Sequence, residues 1–176
     1  MLDYAIVPAG TADAAALARV HVLSWRETYA EVLPAEFLSR MSPEAHARRW
    51  GWRLARTDEI TLAAEGAEGL VGYASGEWAR GAAVEGQAEI TTLYVLRRAQ
   101  GFGVGRRLFE GEARALAARG AKSLIVWALA ENRAARGFYE HLGGIPAGGR
   151  TEWVGGQGAP SVAYIWADLP AWIAAR

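Results

Sequence analysis

A short glycine-rich segment lies between an extended apolar run and a helical pattern. The run ends at Val95, and the segment reads Gln100-Gly101-Phe102-Gly103-Val104-Gly105. Glycines at a helix start let unpaired main-chain N–H groups approach an anion, and the helix dipole favours negative charge there. Four arginines flank the segment, namely Arg97, Arg98, Arg106 and Arg107. The pattern therefore predicts a pyrophosphate site.

This segment has three alternative interpretations. A tight turn would need small residues for steric reasons alone. A dinucleotide-binding turn has the spacing G-x-G-x-x-G directly after a strand. Here the spacing is G-x-G-x-G, and it begins six residues after Val95. A P-loop is excluded because no Gly-Lys-Ser or Gly-Lys-Thr follows.

A second group of residues follows helical spacing. Asn132, Ala135 and Tyr139 stand at i, i+3 and i+7 and so share one helix stripe. A phenol at the edge of a cleft can donate a proton to a leaving group. The alternative is a tyrosine packed in the core with its hydroxyl satisfied.

Periodicity and turn signals predict the elements that position these residues. Strands are predicted over 3–7, 60–65, 70–80, 89–95, 123–127, 150–154 and 162–167, the last two as a hairpin. Helices are predicted over 11–29, 34–40, 42–56, 104–120 and 134–142. The glycine-rich stretches 143–149 and 155–158 read as turns. This order predicts an α+β domain around a mixed sheet.

Composition excludes several classes of protein. The 176 residues fit one domain over 1–176, and 52% hydrophobic with 22% charged residues argues against disorder. The absence of cysteine excludes disulfides, thiolate metal sites and a cysteine nucleophile. No apolar run is long enough to span a membrane, and the first residues lack a signal-peptide pattern. We therefore expect a cytoplasmic protein.

The charges are divided unevenly between the two halves. Formal net charge is +0, which argues against general nucleic-acid binding. Residues 1–90 carry 8 Arg and 13 acids, a balance of −5, and residues 91–176 carry 10 Arg, 1 Lys and 6 acids, a balance of +5. This division suits a protein that binds an anion with one part and a cation with the other, although chance scatter explains it equally well.

Taken together, the motifs resemble the GNAT superfamily of acetyl-CoA-dependent N-acetyltransferases. The resemblance rests on the strand Glu89–Val95, on Gln100-x-x-Gly103-x-Gly105, and on Asn132-x-x-Ala135-x-x-Phe138-Tyr139-x-x-x-Gly143. These motifs cover residues 89–144, and the remaining predicted elements follow the family's order.

The resemblance implies the GNAT acyl-CoA N-acyltransferase fold, a mixed, largely antiparallel sheet with splayed middle strands flanked by helices. The strand with Leu93, Tyr94 and Val95 would splay from strand 123–127, with a bulge near the splay. Pantetheine would bond to the main chain of these three residues, and the Val95 N–H would face the thioester oxygen. The other cofactor contacts would fall on Arg98, Gln100, Gly101, Phe102, Gly103, Val104, Gly105, Arg106, Asn132 and Ala135.

The resemblance also implies the catalytic groups. An alkylammonium has a pKa near 10, so a base must remove its proton before it attacks a thioester. Glu89 would act as that base through water, although a solvated carboxylate at a strand end is an equal alternative. Tyr139 would protonate the departing thiolate.

The acceptor pocket implied by the resemblance is aromatic and acidic. Trp25, Tyr29, Glu77 and Tyr164 would line it, and such a set could hold a cation. No metal site is expected, because His21, His46 and His141 lack ligand spacing. We expect His21 and Arg26 on solvated helix faces.

The function that follows is N-acetylation of a primary amine by direct attack in a ternary complex with acetyl-CoA. The expected acceptor is a small molecule, with a polyamine-like compound as one form. A protein amino group, a non-catalytic acyl-CoA-binding module and a dinucleotide-binding protein are the alternatives. Neither nucleic acid nor membrane is an expected partner, and the sequence does not exclude a homodimer.

Overall fold

The computed structural model describes residues 4–81 and 84–176. Asp3, the predicted start of the first strand, lies outside the described residues. The strands are β1 (Ala5–Pro8), β2 (Ile60–Gly66), β3 (Gly69–Trp78), β4 (Gln87–Val95), β5 (Ser123–Leu129), β6 (Ile145–Val154) and β7 (Gln157–Trp166). The helices are α1 (Ala14–Thr28), α2 (Ala35–Ser39), α3 (Pro43–Leu54), α4 (Val104–Ala118), α5 (Arg133–His141) and α6 (Leu169–Ala174).

The strands form one seven-stranded sheet in the order β1-β2-β3-β4-β5-β7-β6. Every neighbouring pair is antiparallel except β4 and β5, which are parallel. That parallel pairing covers only residues 87–90 and 123–126. The predicted mixed, largely antiparallel sheet with separated middle strands is confirmed.

Helices cover both faces of this sheet. Alternate strand residues point to opposite sides, so each face presents apolar side chains for a helix to cover. On one face, Leu17 of α1 and Trp50 of α3 pack with Ala63 and Tyr73. On the other face, Leu108 of α4 packs with its own set of strand residues, among them Leu62, Ala64 and Ala74. The helix α4 is thereby fixed against the sheet beside the end of β4.

A β-bulge interrupts β4 where its pairing with β5 ends. Ser75 pairs with Thr92 and Gly76 pairs with Ile90, so Thr91 has no opposite residue in β3. The Thr91 hydroxyl donates a hydrogen bond to the Ser75 carbonyl oxygen at 3.2 Å. A bulge bends a strand and increases its twist. The bulge expected near the splay is therefore present at Thr91.

The hairpin of β6 and β7 differs from the sequence prediction in two ways. Strand β6 begins at Ile145, whereas 143–149 was predicted as a turn, and its pairing with β7 skips residues between Pro146 and Gly149. The turn predicted over 155–158 contracts to Gly155 and Gly156, both with positive φ (61° and 82°). Two positive-φ residues give the tight connection that matches the twist of a hairpin.

Helix α6 was not predicted. It is only six residues long, and Asp168 caps it by accepting a hydrogen bond from the Ala171 N–H at 2.9 Å. A helix this short has too few residues for a periodic pattern, so only its Asp-x-Pro start could have indicated it.

Glu112 of α4 is a buried acid beneath the sheet. Its side chain is fully buried and lies against the main chain of Leu62 and Gly76, with no side-chain partner among the described residues. Burial, aided by the nearby Glu59 carboxylate, raises the pKa of Glu112 to about 9. The folded protein therefore holds Glu112 neutral at pH 7, whereas an unfolded chain ionises it.

This difference predicts that the free energy of unfolding falls as pH rises from the ordinary pKa of Glu112 to about 9. Across that window the native state holds one more proton than the unfolded state, so stability falls by at most about 1.4 kcal/mol per pH unit. Urea unfolding at pH 5.5 and 8.5 should show a smaller loss for Glu112→Gln than for the wild type. The exposed control Glu131→Gln should follow the wild type. An equal loss in the wild type and Glu112→Gln would contradict the buried neutral acid.

Candidate functional site

A large cavity opens where β4 and β5 separate. Beyond Ile90 and Val126 the two strands no longer pair, and a cavity of about 930 Å³ lies between them. Main chain and side chains of residues 90–95 form one wall, and those of residues 126–129 form the opposite wall. The cavity continues to the start of α4 and to α5.

The hydrogen-bond pattern of β4 shows which amides face this cavity. The Leu96 N–H donates to the Val71 carbonyl of β3 at 2.8 Å. Since antiparallel strands alternate between bonded and non-bonded pairs, Tyr94 also points its N–H toward β3. The N–H groups of Leu93 and Val95 therefore point into the gap, where no β5 residue pairs with them. An extended ligand can pair with this free strand edge as an added strand would.

The glycine segment has the geometry of an anion site. Gly101 and Gly103 take positive φ values of 80° and 76°. The first main-chain bond of α4 runs from the Arg107 N–H to the Gly103 carbonyl at 3.0 Å. The N–H groups of residues 104–106 thus lack helical partners and lie at the cavity, at the positive end of the helix dipole.

Several predicted contacts around this segment are placed differently from expectation. Arg98 and Phe102 are exposed and do not line the cavity. Arg106 lines it, but its Nε donates to Glu110 at 2.7 Å. Gln100 also lines it, and its amide donates to the Val95 carbonyl at 2.9 Å. Gln100 therefore fastens the turn to the end of β4.

Asn132 has a structural role in addition to its position at the cavity. Its side-chain oxygen accepts a hydrogen bond from the Ala135 N–H at 3.0 Å and so caps α5. Asn132 and Ala135 both line the cavity. The cap takes one lone pair of the amide oxygen, so the other lone pair and the amide N–H groups of Asn132 remain available to a ligand.

Three phenols converge on the cavity. Tyr139 of α5, Tyr29 and Tyr94 all line it, and the hydroxyls of Tyr29 and Tyr94 are 3.4 Å apart. Tyr139 is 6% exposed, and its hydroxyl has no hydrogen-bond partner among the residues described. Burial raises the pKa of Tyr139, and the Tyr29 phenol adds to this effect. Tyr139 therefore keeps its proton across the neutral range and presents it to the cavity.

The predicted acceptor residues divide into two groups. Trp25 and Tyr29 line the large cavity together. Tyr164 does not line it; its buried hydroxyl accepts from Arg136 and donates to Glu140 at 2.9 Å. Tyr164 packs in the core beneath α5, and of the β7 residues Ser161 lines the large cavity.

Glu77 and Glu89 belong to a second, smaller cavity of about 480 Å³. Thr91 and Thr92 line both cavities, so the two meet at the bulge. Glu89 is half-buried, and burial raises its pKa, against a lowering by the charge of Arg150. Sequence reasoning did not find Arg150 or Trp127, since their places depend on which β5 and β6 residues lie beside the gap.

The environment of His21 also differs from the prediction. His21 was expected on a solvated face, but its Nδ1 lies 2.6 Å from the Tyr73 hydroxyl and its ring centroid 4.9 Å from that of His46. Burial, with positive charge from His46 and nearby arginines, lowers the pKa of His21 to about 3. Arg26 is exposed, yet its guanidinium donates to the Met41 carbonyl at 2.9 Å.

Within the described residues, no group of three or more acidic, cysteine or histidine side chains could hold a metal ion.

Comparison with known proteins identifies the family. Residues 21–144 match the sequence model of the acetyltransferase (GNAT) family. The chain belongs to this family. It is a GNAT-type N-acetyltransferase, and acetyl-CoA is the family's co-substrate. The fold class expected from the sequence is likewise confirmed.

Individual relatives agree with this assignment. An uncharacterized N-acetyltransferase, YuaI, of Bacillus subtilis (strain 168) is 29% identical over 116 residues, which is 66% of either chain. A GCN5-related N-acetyltransferase structure from Rhodopseudomonas palustris is 26% identical, with a TM-score of 0.70 over 94% of this chain and 96% of that one. The PaiA N-acetyltransferase of Thermoplasma acidophilum, solved with coenzyme A, is 18% identical, with a TM-score of 0.68 over 92% and 98% of the two chains.

In the described part of the chain, no helix is both long and apolar enough to cross a bilayer.

The Gly103 backbone provides a test of the anion site. Gly103→Asp should weaken coenzyme A affinity about tenfold or more, a loss of roughly 1.4 kcal/mol. The new carboxylate would stand beside the free N–H groups and repel the negatively charged diphosphate. Gly103→Asn separates charge from strain, since Asn tolerates positive φ and has nearly the same shape. Titration calorimetry should give a smaller loss for Asn than for Asp. Gly51→Ala, at a helical glycine with open space around it, is the control. Equal affinity of the Asp variant and the wild type would contradict the assignment.

Proposed function

We propose that this N-acetyltransferase transfers the acetyl group of acetyl-CoA to the primary amine of a small molecule, by direct attack in a ternary complex. The observation that carries the proposal is the continuous path from the free N–H groups of residues 104–106, along the open edge of β4, to the Tyr139 hydroxyl. Direct transfer suits a chain without cysteine, because no thiol can carry an acyl intermediate.

The chain direction of β4 orders the contacts along the cofactor. A diphosphate held at residues 104–106 lies beyond the Val95 end of β4, so pantetheine would meet Val95 first and Leu93 later. The thioester oxygen then lies at the Leu93 N–H, nearer the bulge, rather than at Val95 as the resemblance suggested. A main-chain amide there stabilises the negative charge that develops on this oxygen during attack.

Tyr139 would act on the sulfur. As the amine nitrogen bonds to the acetyl carbon, the C–S bond breaks and its electron pair goes to sulfur. A phenol with a raised pKa stays protonated and can donate a hydrogen bond to the thiolate throughout the step. The thiolate becomes a thiol when it takes this proton, and solvent then reprotonates the phenol.

Glu89 would accept the proton of the acceptor ammonium. It lies in the smaller cavity, separated from the large one by Thr91 and Thr92, so a water molecule would connect it to the amine. The raised pKa of Glu89 brings a carboxylate closer to the range in which a base works at neutral pH.

A panel of amines tests the proposal. Release of coenzyme A, followed with a thiol-reactive dye, should depend on one or more small primary amines. Peptides with free N-termini and lysine-containing peptides represent the protein-acceptor alternative. Turnover of peptides alone would transfer the assignment to a protein acceptor, and no turnover with any amine would overturn the proposed activity.

The phenol of Tyr139 is tested by removing only its oxygen. Tyr139→Phe should lower kcat by about 10²–10³ while keeping coenzyme A affinity, because the hydroxyl acts on the leaving group. Tyr164→Phe is the matched control: its hydroxyl bonds to Arg136 and Glu140 away from the cavity. The control should retain kcat within a few-fold. An unchanged kcat for Tyr139→Phe, with chemistry shown to be rate-limiting, would contradict the role.

The base is tested by a pH profile. Glu89 must be ionised to accept a proton, so kcat/KM should fall as pH drops through its pKa. Because burial raises that pKa, the acidic limb should lie above the ordinary carboxyl range. Glu89→Gln should lower kcat and abolish the limb. An identical limb in wild type and Glu89→Gln would assign it to another group.

A further inference from the structure

Charged side chains line the smaller cavity beside the bulge. Some of them form ion pairs with each other, and others keep unused hydrogen-bonding atoms. Four guanidiniums line it, belonging to Arg53, Arg56, Arg80 and Arg150. They come from α3 and the segment after it, from the end of β3, and from β6. Three separate parts of the chain thus bring positive charge to one cavity.

Two of the three acids in this cavity are neutralised by these arginines. Glu59 is nearly buried, with 3% of its side chain exposed, and accepts from Arg53 Nε at 3.0 Å. Glu77 accepts from Arg56 at 2.7 Å and lies 3.2 Å from Arg80. Neither carboxylate is free to receive an ammonium group.

Glu89 differs from these two acids. No cation forms an ion pair with it among the residues described, although it is close enough to Arg150 and Arg80 for their charges to act on it. A half-buried carboxylate without a hydrogen-bonded partner is costly unless a ligand or water satisfies it. The amine of the acceptor is the cation that this position suits.

Arg150 and Arg80 are cations that keep unused N–H donors. Arg150 uses Nε and one Nη on a single oxygen of Glu152, at 2.9 and 2.7 Å, which leaves its other terminal nitrogen free. Its guanidinium stacks on the Trp127 ring at 4.0 Å, so its position is fixed. Arg80 is 77% exposed and contacts only Glu77 among the described acids. Both retain N–H donors that face the same cavity as Glu89.

Arg150 stands where the two cavities join. Trp127 and Glu152, which hold its guanidinium, line the large cavity, while Arg150 itself lines the small one. A molecule whose amine reaches the thioester past Thr91 and Thr92 therefore has these donors on its other side.

We propose that the acceptor is an amino acid, with the amine facing Glu89 through a bridging water molecule and the carboxylate bound by Arg150 and Arg80. This inference rests on the proposed function and narrows its acceptor. A guanidinium binds a carboxylate through two parallel N–H donors, which gives both affinity and orientation. A polyamine lacks this anion and would leave the unused N–H donors of Arg150 and Arg80 without an acceptor, so the polyamine-like acceptor is disfavoured.

Matched acceptors test this proposal. Each of the common L-amino acids is compared with its amide, with the amine that lacks the carboxyl group, and with spermidine. At least one amino acid should exceed its amide in kcat/KM by about tenfold or more. Amides or spermidine that equal or exceed every amino acid would overturn the inference while leaving the acetyltransferase proposal intact.

Arginine variants test the assignment of the anion site. Arg150→Gln and Arg80→Gln should each raise KM for the preferred amino acid about tenfold, with little change for its amide. Arg150→Lys should recover part of the loss, since it restores charge without the paired donors. Arg114→Gln, exposed on α4 and lining neither cavity, should behave as the wild type. Equal KM changes for amino acid and amide would indicate a structural effect and overturn the assignment.

Calorimetry separates failure of this inference from failure of the proposed function. Amino acids are titrated into the protein–coenzyme A complex, so no turnover is needed. Binding that Arg150→Gln weakens about tenfold supports the anion site even if no amine is acetylated. No amino-acid binding, or binding insensitive to Arg150→Gln, overturns it.

Discussion

The site depends on one structural constraint: β4 and β5 pair over four residues and then separate. Pairing stops at Ile90 and Val126, where the Thr91 bulge bends β4. Main-chain amides of Leu93 and Val95 are left without a strand partner inside the fold. Buried N–H groups need an acceptor, so the separation creates a demand that an extended amide-containing chain such as pantetheine can meet.

The anion site is held in register with this open edge by local bonds. Gln100 binds the Val95 carbonyl at 2.9 Å, and the Leu96 N–H binds Val71 at 2.8 Å. The Arg97 N–H donates to the Glu27 carboxylate at 2.8 Å. The end of α1, which carries Trp25 and is followed by Tyr29, is therefore tied to the same turn that precedes α4. The part of the cavity wall formed by Trp25 and Tyr29 and the start of α4 are thus fixed relative to each other by one short segment.

Local signals in the sequence were sufficient for the elements around the cofactor. The glycines before Val104, the Asn132 cap and the apolar strands each carry their own pattern, and the structure has them close to the predicted bounds. The end of the chain was less predictable. Pro146 and the glycines at 148 and 149 resemble a turn in sequence, yet their pairing with β7 draws them into an edge strand with an irregular register.

Side-chain environments were the least predictable feature. Periodicity places His21 on a helix face, but only the packing of α3 and β3 shows that this face is buried against Tyr73 and His46. The same holds for Tyr164, whose hydroxyl meets Arg136 and Glu140 through α5. The charge balance of the smaller cavity likewise depends on residues from three distant parts of the chain, and no single motif encodes it.

A crystal structure of the protein with coenzyme A is the most direct test of the central claim. We expect diphosphate oxygens within hydrogen-bond distance of the N–H groups of residues 104–106. Pantetheine should lie between β4 and β5, and the sulfur should lie beside the Tyr139 hydroxyl. A ligand bound elsewhere, or a gap closed by pairing of β4 with β5 beyond Ile90, would contradict the account.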